Sequence, residues 1–303
     1  MLTSIANASK NSNVEKDAEK WILHHQHCDI FNIVEYIPKG KNMTPIRLDK
    51  YISERTEYSR SKIKELAAKG KITVNNIIIK KSDTKIDPET ALVKVLGTPV
   101  SVSKYRYILL NKPDGYISST EENDGISVMR LIPPELRKKG LFPAGRLDKD
   151  SLGALLITDD GELAHKLLSP RSHVPKIYIV KLDKPFKSKY IDIFSDSILL
   201  SDGTQCLPAK VRCSEMSDKL AFIELHEGKY HQVKRMFAAV ENHVEKLMRL
   251  TVGGLILPEK LKFGECMELL HKDVENLFHP PDFDDFCSDF IGDFSAFMLN
   301  NQL

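Results

Sequence analysis

Gly145-Arg146-Leu147-Asp148-Lys149-Asp150-Ser151-Leu152-Gly153-Ala154-Leu155-Leu156-Ile157-Thr158 is the segment around which the rest of the chain organises. Its second half is a short apolar run, the pattern of a strand buried on both faces. Its first half is a glycine-bounded loop in which one carboxylate, Asp148, stands between Arg146 and Lys149. Read alone, such a loop is a solvated turn with surface ion pairs. An ionised Asp held there can also attack a sugar carbon or a pyrimidine ring, as carboxylates do in glycoside chemistry.

Working outward, Tyr107–Leu110, Lys176–Leu182 and Leu220–Leu225 are further short apolar or alternating runs that read as strands. Helical stretches and Pro/Gly turns separate them, so Lys104 to Leu270 is expected to form an α+β domain around a mixed sheet. Near its end, Val233, Met236, Phe237 and Val240 fall at i, i+3, i+4 and i+7, one face of a helix. His231, Lys234 and Arg235 are expected roughly opposite, facing carboxylate or phosphate while the apolar side anchors in the core.

Before this domain, Leu48, Tyr51 and Ile52 share a helical face, and Ile63, Leu66 and Ala67 repeat the spacing after a capping Ser59. Gly70 stands where a helix ends, Lys71–Val74 reads as a strand, Asn75-Asn76 as a tight turn, and Ile77–Ile79 as the return strand. Arg47, Arg60, Lys62, Lys64, Lys69 and Lys71 give this small unit a basic surface.

Lys and Arg number 44 against 42 Asp and Glu, a formal net charge of +2, but the charges are unevenly placed. Residues 45–103 carry +5, residues 104–270 carry +3, and residues 271–303 carry −6, while the first forty-four residues balance. Two basic blocks suit a polyanion partner. Five scattered cysteines without a CxxC pair suggest neither a disulfide framework nor zinc. His24-His25-Gln26-His27-Cys28 looks metal-like, but it lies in an unpatterned segment, and adjacent histidines do not share a helix face; no metal is expected. The N-terminal residues lack a secretory apolar core and no run of apolar residues is long enough to span a bilayer, so a cytoplasmic protein is expected. The segments are 1–44, an extension with a short helix near Trp21; 45–103; 104–270; and 271–303, an acidic tail.

The fifty-residue helix–helix–hairpin unit resembles the S4 RNA-binding module, through Arg47-Leu48-Asp49-Lys50-Tyr51, Ser59-Arg60 and Lys69–Asn75. Four later motifs occur in an order similar to that of the pseudouridine synthases. They are Leu110-Asn111-Lys112-Pro113-Asp114-Gly115-Tyr116; Gly145–Asp148 followed by Leu155–Gly161, His165-Lys166-Leu167, Ser169-Pro170 and Lys176-Ile177-Tyr178; Glu227–Phe237; and Val252-Gly253-Gly254. The combination resembles the S4-module-containing branch that acts on small-subunit ribosomal RNA.

This resemblance implies a small N-terminal S4-like α/β domain followed by a synthase domain with a mixed, largely antiparallel sheet. It implies conversion of a uridine of small-subunit (16S) ribosomal RNA to pseudouridine, with Asp148 as catalytic carboxylate, Tyr178 stacking on the target base, and Lys234 pairing with Asp148. Arg146, Arg235, His231 and Lys176 would bind the substrate, and Arg47, Arg60, Lys62, Lys64, Lys69 and Lys71 would grip RNA phosphates. Uridine and pseudouridine are isomers, so no cofactor is expected; the base must be flipped out to be reached. A monomer acting on free RNA or on a small-subunit assembly intermediate is expected. A non-catalytic assembly factor and a nucleoside hydrolase are the rival classes; the first has no need of the Asp148, Tyr178 and Lys234 set, and the second wants a second carboxylate as acid. Two positions depart from the family pattern: Ser151 where Thr is usual, and Glu241 where Gly is common. If position 241 is left-handed, Glu costs on the order of 1 kcal/mol there, or Asn242 takes over the turn.

Overall fold

The computed structural model describes residues 44–101, 103–169, 172 and 174–290. The His24–Cys28 cluster, the helix expected near Trp21 and the end of the acidic segment lie outside the described residues.

The small basic unit forms as its spacing dictates. Helix α1 (Leu48–Ser53) and α2 (Arg60–Ala68) bury Leu48, Tyr51, Ile52, Ile63, Leu66 and Ala67 together. The Ser59 side chain accepts a hydrogen bond from the Lys62 amide, satisfying one orphan donor of the helix start. Gly70, at φ +66°, ends α2. Asn75 and Asn76, at φ 50° and 64°, form the turn between β1 (Ile72–Val74) and β2 (Ile77–Ile78). Strands β3 (Val93–Val95) and β4 (Thr98–Pro99) extend this sheet in the order β2-β1-β3-β4.

The larger unit is built on one long sheet. Its strands are β5 (Tyr107–Lys112), β6 (Phe142–Pro143), β7 (Leu152–Thr158), β8 (Lys176–Leu182), β9 (Lys210–Ser214), β10 (Ser217–Leu225), β11 (Val244–Arg249) and β12 (Cys266–Glu268). They run β9-β10-β8-β11-β7-β5-β12, with β6 paired to the far end of β7. All pairings are antiparallel except the short parallel contact of β7 with β11, so the sheet is mixed and largely antiparallel.

Both faces are covered, which is why the central strands read as near-continuous apolar runs. One face packs Leu110, Leu155, Ile157, Tyr178 and Val180 against helices α4 (Lys189–Ser195) and α5 (Gln232–Ala239). Helix α5 is anchored by Phe237, fully buried and edge-on to Tyr190 and Phe194 with centroid separations of 6.1 and 5.2 Å. The other face packs Leu109, Leu156, Ile177 and Met248 against α3 (Gly161–Leu168), which Asp160 caps through the amides of Glu162 and Leu163.

Residues 271–290, set apart in the sequence by their acidity, belong to this second core. Helices α6 (His271–Asn276) and α7 (Phe283–Asp289) bury Val274, Leu277, Phe283, Phe286 and Cys287 and keep their carboxylates outside. Gly253 is needed for the same contact: at φ +57°, any Cβ there would collide with the carbonyl oxygen of Leu277.

Candidate active site

The site is assembled on one rung of the sheet. Lys112 lies opposite Gly153, Gly153 opposite Arg249, Arg249 opposite Tyr178, and Tyr178 opposite Ile223. Side chains alternate faces along a strand, so Lys112, Arg249 and Tyr178 share the face of Leu110, Leu247 and Val180. Gly153 makes the rung possible. Its φ is +99°, and a Cβ would run into the Arg249 carbonyl where the two strands meet in parallel.

Asp148 stands in the loop directly above this rung. Leu147, before it, is buried in the core, and its backbone is held at both ends by Ser118: the Oγ accepts from the Leu147 amide at 3.0 Å and donates to its carbonyl at 2.8 Å. Lys112, fully buried, donates to the carbonyls of Pro113, Lys149 and Ser151 at 3.0, 3.0 and 2.8 Å. The loop is thus fixed on both sides of Asp148, whose side chain keeps 28% exposure. Such anchoring is what holds a reactive group in one orientation.

Helix α5 and the turn before it bring two basic side chains to this carboxylate. Lys234 Nζ is 3.8 Å from Asp148 Oδ2 and His231 Nε2 is 3.6 Å from Oδ1. Both are beyond hydrogen-bond length, so the carboxylate is flanked rather than occupied. The direct partner of Lys234 is Asp150, at 2.6 Å. Burial alone would raise the Asp150 carboxyl, but the hydrogen bond and charge of Lys234 outweigh it and hold the group below the usual carboxylate range. The expected Lys234–Asp148 pair is therefore a shared cation leaning toward Asp150.

His231 differs from the sequence reading. It is not on the helix but precedes it, in a left-handed conformation at φ 50°, and this turn, not helical spacing, aims its ring at Asp148. Tyr178 is 8% exposed, on the face over which α5 packs. Lys176, two residues earlier on β8, donates to the Val174 carbonyl at 2.7 Å. Burial, reinforced by nearby Arg249, pushes its ammonium down to about 8. Lys112 is likewise lowered by burial to about 8, against the pull of Asp114, Asp150 and Asp148.

Arg146 is exposed and has no carboxylate partner among the described residues. Arg235 is committed elsewhere: its NH2 meets Asp202 at 2.5 Å and its NH1 donates to the Tyr230 carbonyl at 3.2 Å. On the small domain, Arg60, Lys62, Lys64, Lys69 and Lys71 are all exposed along α2 and its exit. Lys62 and Lys69 share Glu65 at 3.0 and 2.7 Å, whereas Arg47 is clamped by Asp49 through both carboxylate oxygens, at 3.1 and 2.7 Å. The cations of this surface without a carboxylate partner, among the described residues, are Arg60, Lys64 and Lys71.

Sequence reasoning gave no role to Asp150, Lys112, Arg249 or Tyr230. Lysine and arginine ending buried strands were the available signal, since such charges are rarely buried without a task. One guanidinium nitrogen of Arg249 is indeed buried without a hydrogen-bond partner. Among the described residues no cluster of His, Cys, Asp and Glu could hold a metal ion, and no helix is long and apolar enough to cross a membrane.

Known proteins share this arrangement of parts. Residues 106–239 match the RNA pseudouridylate synthase family and residues 46–92 match the S4 domain. The RNA pseudouridine synthase YtzG of Bacillus subtilis (strain 168) is 37% identical over 78% of this chain and 99% of its own length. The ribosomal small subunit pseudouridine synthase A of Vibrio cholerae is 36% identical over 77% of this chain and all of its own, and that of Escherichia coli (strain K12) 34% over the same shares. A crystal structure of a pseudouridylate synthase, 32% identical, superposes with a TM-score of 0.53 over 77% of this chain and 99% of that one. With near-complete coverage of these relatives, a common fold and an S4 domain in front of the catalytic one, this chain belongs to the RNA pseudouridine synthase family.

Proposed function

We propose that this enzyme isomerises a uridine of small-subunit ribosomal RNA to pseudouridine, with Asp148 as the catalytic carboxylate. The observation that carries the reading is the state of Asp148: fixed in place by its loop, partly exposed to solvent, flanked by Lys234 and His231, and hydrogen-bonded to neither. Pseudouridine synthase A relatives named for the small subunit, matched along their entire length, support the choice of RNA.

The reaction breaks the N1–C1′ bond, rotates the uracil, joins C5 to C1′, loses the proton from C5 and gains one at N1. Nothing is oxidised or reduced, and atoms balance within the nucleotide. Attack of Asp148 on C1′, its attack on C6, and an elimination it assists all place the same oxygen at the same nucleotide. In each, Tyr178 lies against the uracil and takes part in removing the C5 proton. Lys234 stabilises the carboxylate when it is the leaving group, and Arg146 holds the flipped nucleotide or fills its vacated place. The buried Lys112 and Arg249 on the rung, with the half-buried Lys176 beside it, make this face electropositive, a setting that favours a phosphodiester. The exposed cations of α2 position the RNA without reading its sequence. We infer a monomer working in the cytoplasm, on free RNA or on an assembly intermediate.

The test is release of tritium from small-subunit ribosomal RNA labelled at uridine C5. The wild-type chain is expected to release it. Asp148→Asn is expected to abolish release while binding the same RNA; equal release by this variant would refute the assignment.

A further inference from the structure

Tyr230 is 74% exposed, and among the described residues no other phenylalanine or tyrosine is as open to solvent. It stands beside the catalytic loop. Its ring lies on that of His231, with centroids 3.8 Å apart and planes 17° from parallel, and the His231 Nε2 is 3.6 Å from Asp148 Oδ1. One face of the tyrosine is therefore backed by the imidazole, and the other is bare.

The turn that presents this pair is firmly built. Glu227 accepts from Lys229 Nζ at 2.8 Å, Gln232 Nε2 at 2.7 Å and the Leu207 amide at 2.9 Å, and Gln232 Oε1 accepts from the Lys229 amide at 2.9 Å. Arg235, itself held by Asp202, fixes the Tyr230 carbonyl. His231 adopts a left-handed backbone, uncommon for non-glycine residues though histidine is among those that take it most readily. The firmly hydrogen-bonded turn thus holds a large, partly apolar ring out in water.

We propose that Tyr230, stacked on His231, is a platform for an unstacked RNA base adjacent to the target uridine. Single-stranded RNA bases are characteristically bound by stacking on aromatic side chains, because each base has a flat face to offer. Flipping a nucleotide toward Asp148 splays its neighbours, and the bare face of Tyr230 is where such a neighbour regains the stacking it lost. Tyr230 acts through substrate positioning, not on the reacting atoms. This inference rests on the RNA reading of the site.

The probe is an unmodified transcript of small-subunit ribosomal RNA, tested with the full chain. Short-wavelength ultraviolet light is expected to join the transcript to Tyr230, identified in the peptide by mass spectrometry, in the wild type and in Asp148→Asn alike. Tyr230→Ala is expected to raise KM for the transcript roughly tenfold, with a smaller change in kcat, and Tyr230→Phe to restore KM because the ring suffices. The absence of an adduct at Tyr230, or a KM for Tyr230→Ala within about twofold of wild type, overturns the proposal. Because cross-linking needs no turnover, this outcome is separable from the Asp148 test. Retained tritium release by Asp148→Asn refutes the catalytic assignment and leaves the adduct to be read by itself.

Discussion

The ammonium of Lys234 sits 2.6 Å from the Asp150 carboxylate and 3.8 Å from that of Asp148, so the proposed catalytic carboxylate shares its cation with a nearer rival. The arrangement fixes Lys234 without tying up the oxygens of Asp148. It also distinguishes two acids two residues apart: Asp150 holds the cation in place, and Asp148 keeps its oxygens open, as its proposed role requires.

The two carboxylates should accordingly behave differently on substitution. Asp150→Asn loosens Lys234 but leaves it near Asp148, and kcat is expected to stay within roughly tenfold of wild type. Lys234→Met removes the charge proposed to stabilise Asp148 as a leaving group and is expected to lower kcat by about a hundredfold or more. Single-turnover tritium release would measure both, and an Asp150→Asn loss as deep as that of Asp148→Asn would contradict the division.

Gly153→Ala is expected to be among the most damaging single-methyl changes in this chain. The added Cβ meets the Arg249 carbonyl at a backbone angle of φ +99°, so strain and collision combine. A loss of about 3 kcal/mol or more in urea denaturation is expected, with activity lost as the rung between Lys112, Arg249 and Tyr178 opens. A stability near that of wild type would mean that the two strands can separate without cost.

Glu241→Gly should do the reverse. Glu241 has φ 61°, the left-handed geometry that the sequence resemblance leads one to expect there. Asn242 secures the following turn, accepting from the Lys184 amide at 3.1 Å and donating to its carbonyl at 3.0 Å, so the backbone is held in this conformation regardless of the residue at 241. Relief of strain is expected to stabilise the protein by about 1 kcal/mol, seen as a rise in Tm of a few degrees, with activity unchanged.

Lys176 provides a signature in alkali. Its folded-state value, about 8, lies below the ordinary 10.5 because burial disfavours the charged amine. The stability tied to this group is thus fully present above 10.5 and is lost as pH falls through about 8. Lys176→Met never carries the penalty. The stability of wild type relative to Lys176→Met is therefore expected to rise between about pH 8 and 10.5, by something of order 2 kcal/mol, in paired denaturation curves across that range. A difference that does not change with pH would show that the amine is not desolvated.

The small RNA-binding unit was legible almost residue by residue, since its determinants are local. Leu48, Tyr51 and Ile52 share a face because a helix repeats every 3.6 residues. Ser59 caps its helix by reaching an amide three residues on, and Asn75-Asn76 turns the hairpin by tolerating positive φ. Four strands of the larger sheet, β5, β7, β8 and β10, and the buried face of α5 were legible for the same reason, whereas β6, β9, β11 and β12 were not read. His231 was not: its turn is stabilised by Glu227, Gln232 and Arg235, and helical spacing extended one residue too far gave it a face it does not have. Nor was the fate of residues 271–290, where acidity masked a spaced set of apolar residues that the sheet needed for cover.

What the sequence determined unaided was everything carried by short-range periodicity and by its motifs: the two units and their order, four strands of the larger sheet, and Asp148 and Tyr178 as candidate site residues. Only the tertiary structure decided how those residues meet. Lys112, Gly153, Arg249 and Tyr178 come from four strands, and their common rung exists because strand register is set by long-range pairing that no local pattern encodes. For the same reason the partner of Lys234 could be found only in space, where a difference of little more than an ångström gave the cation to Asp150 and left Asp148 open.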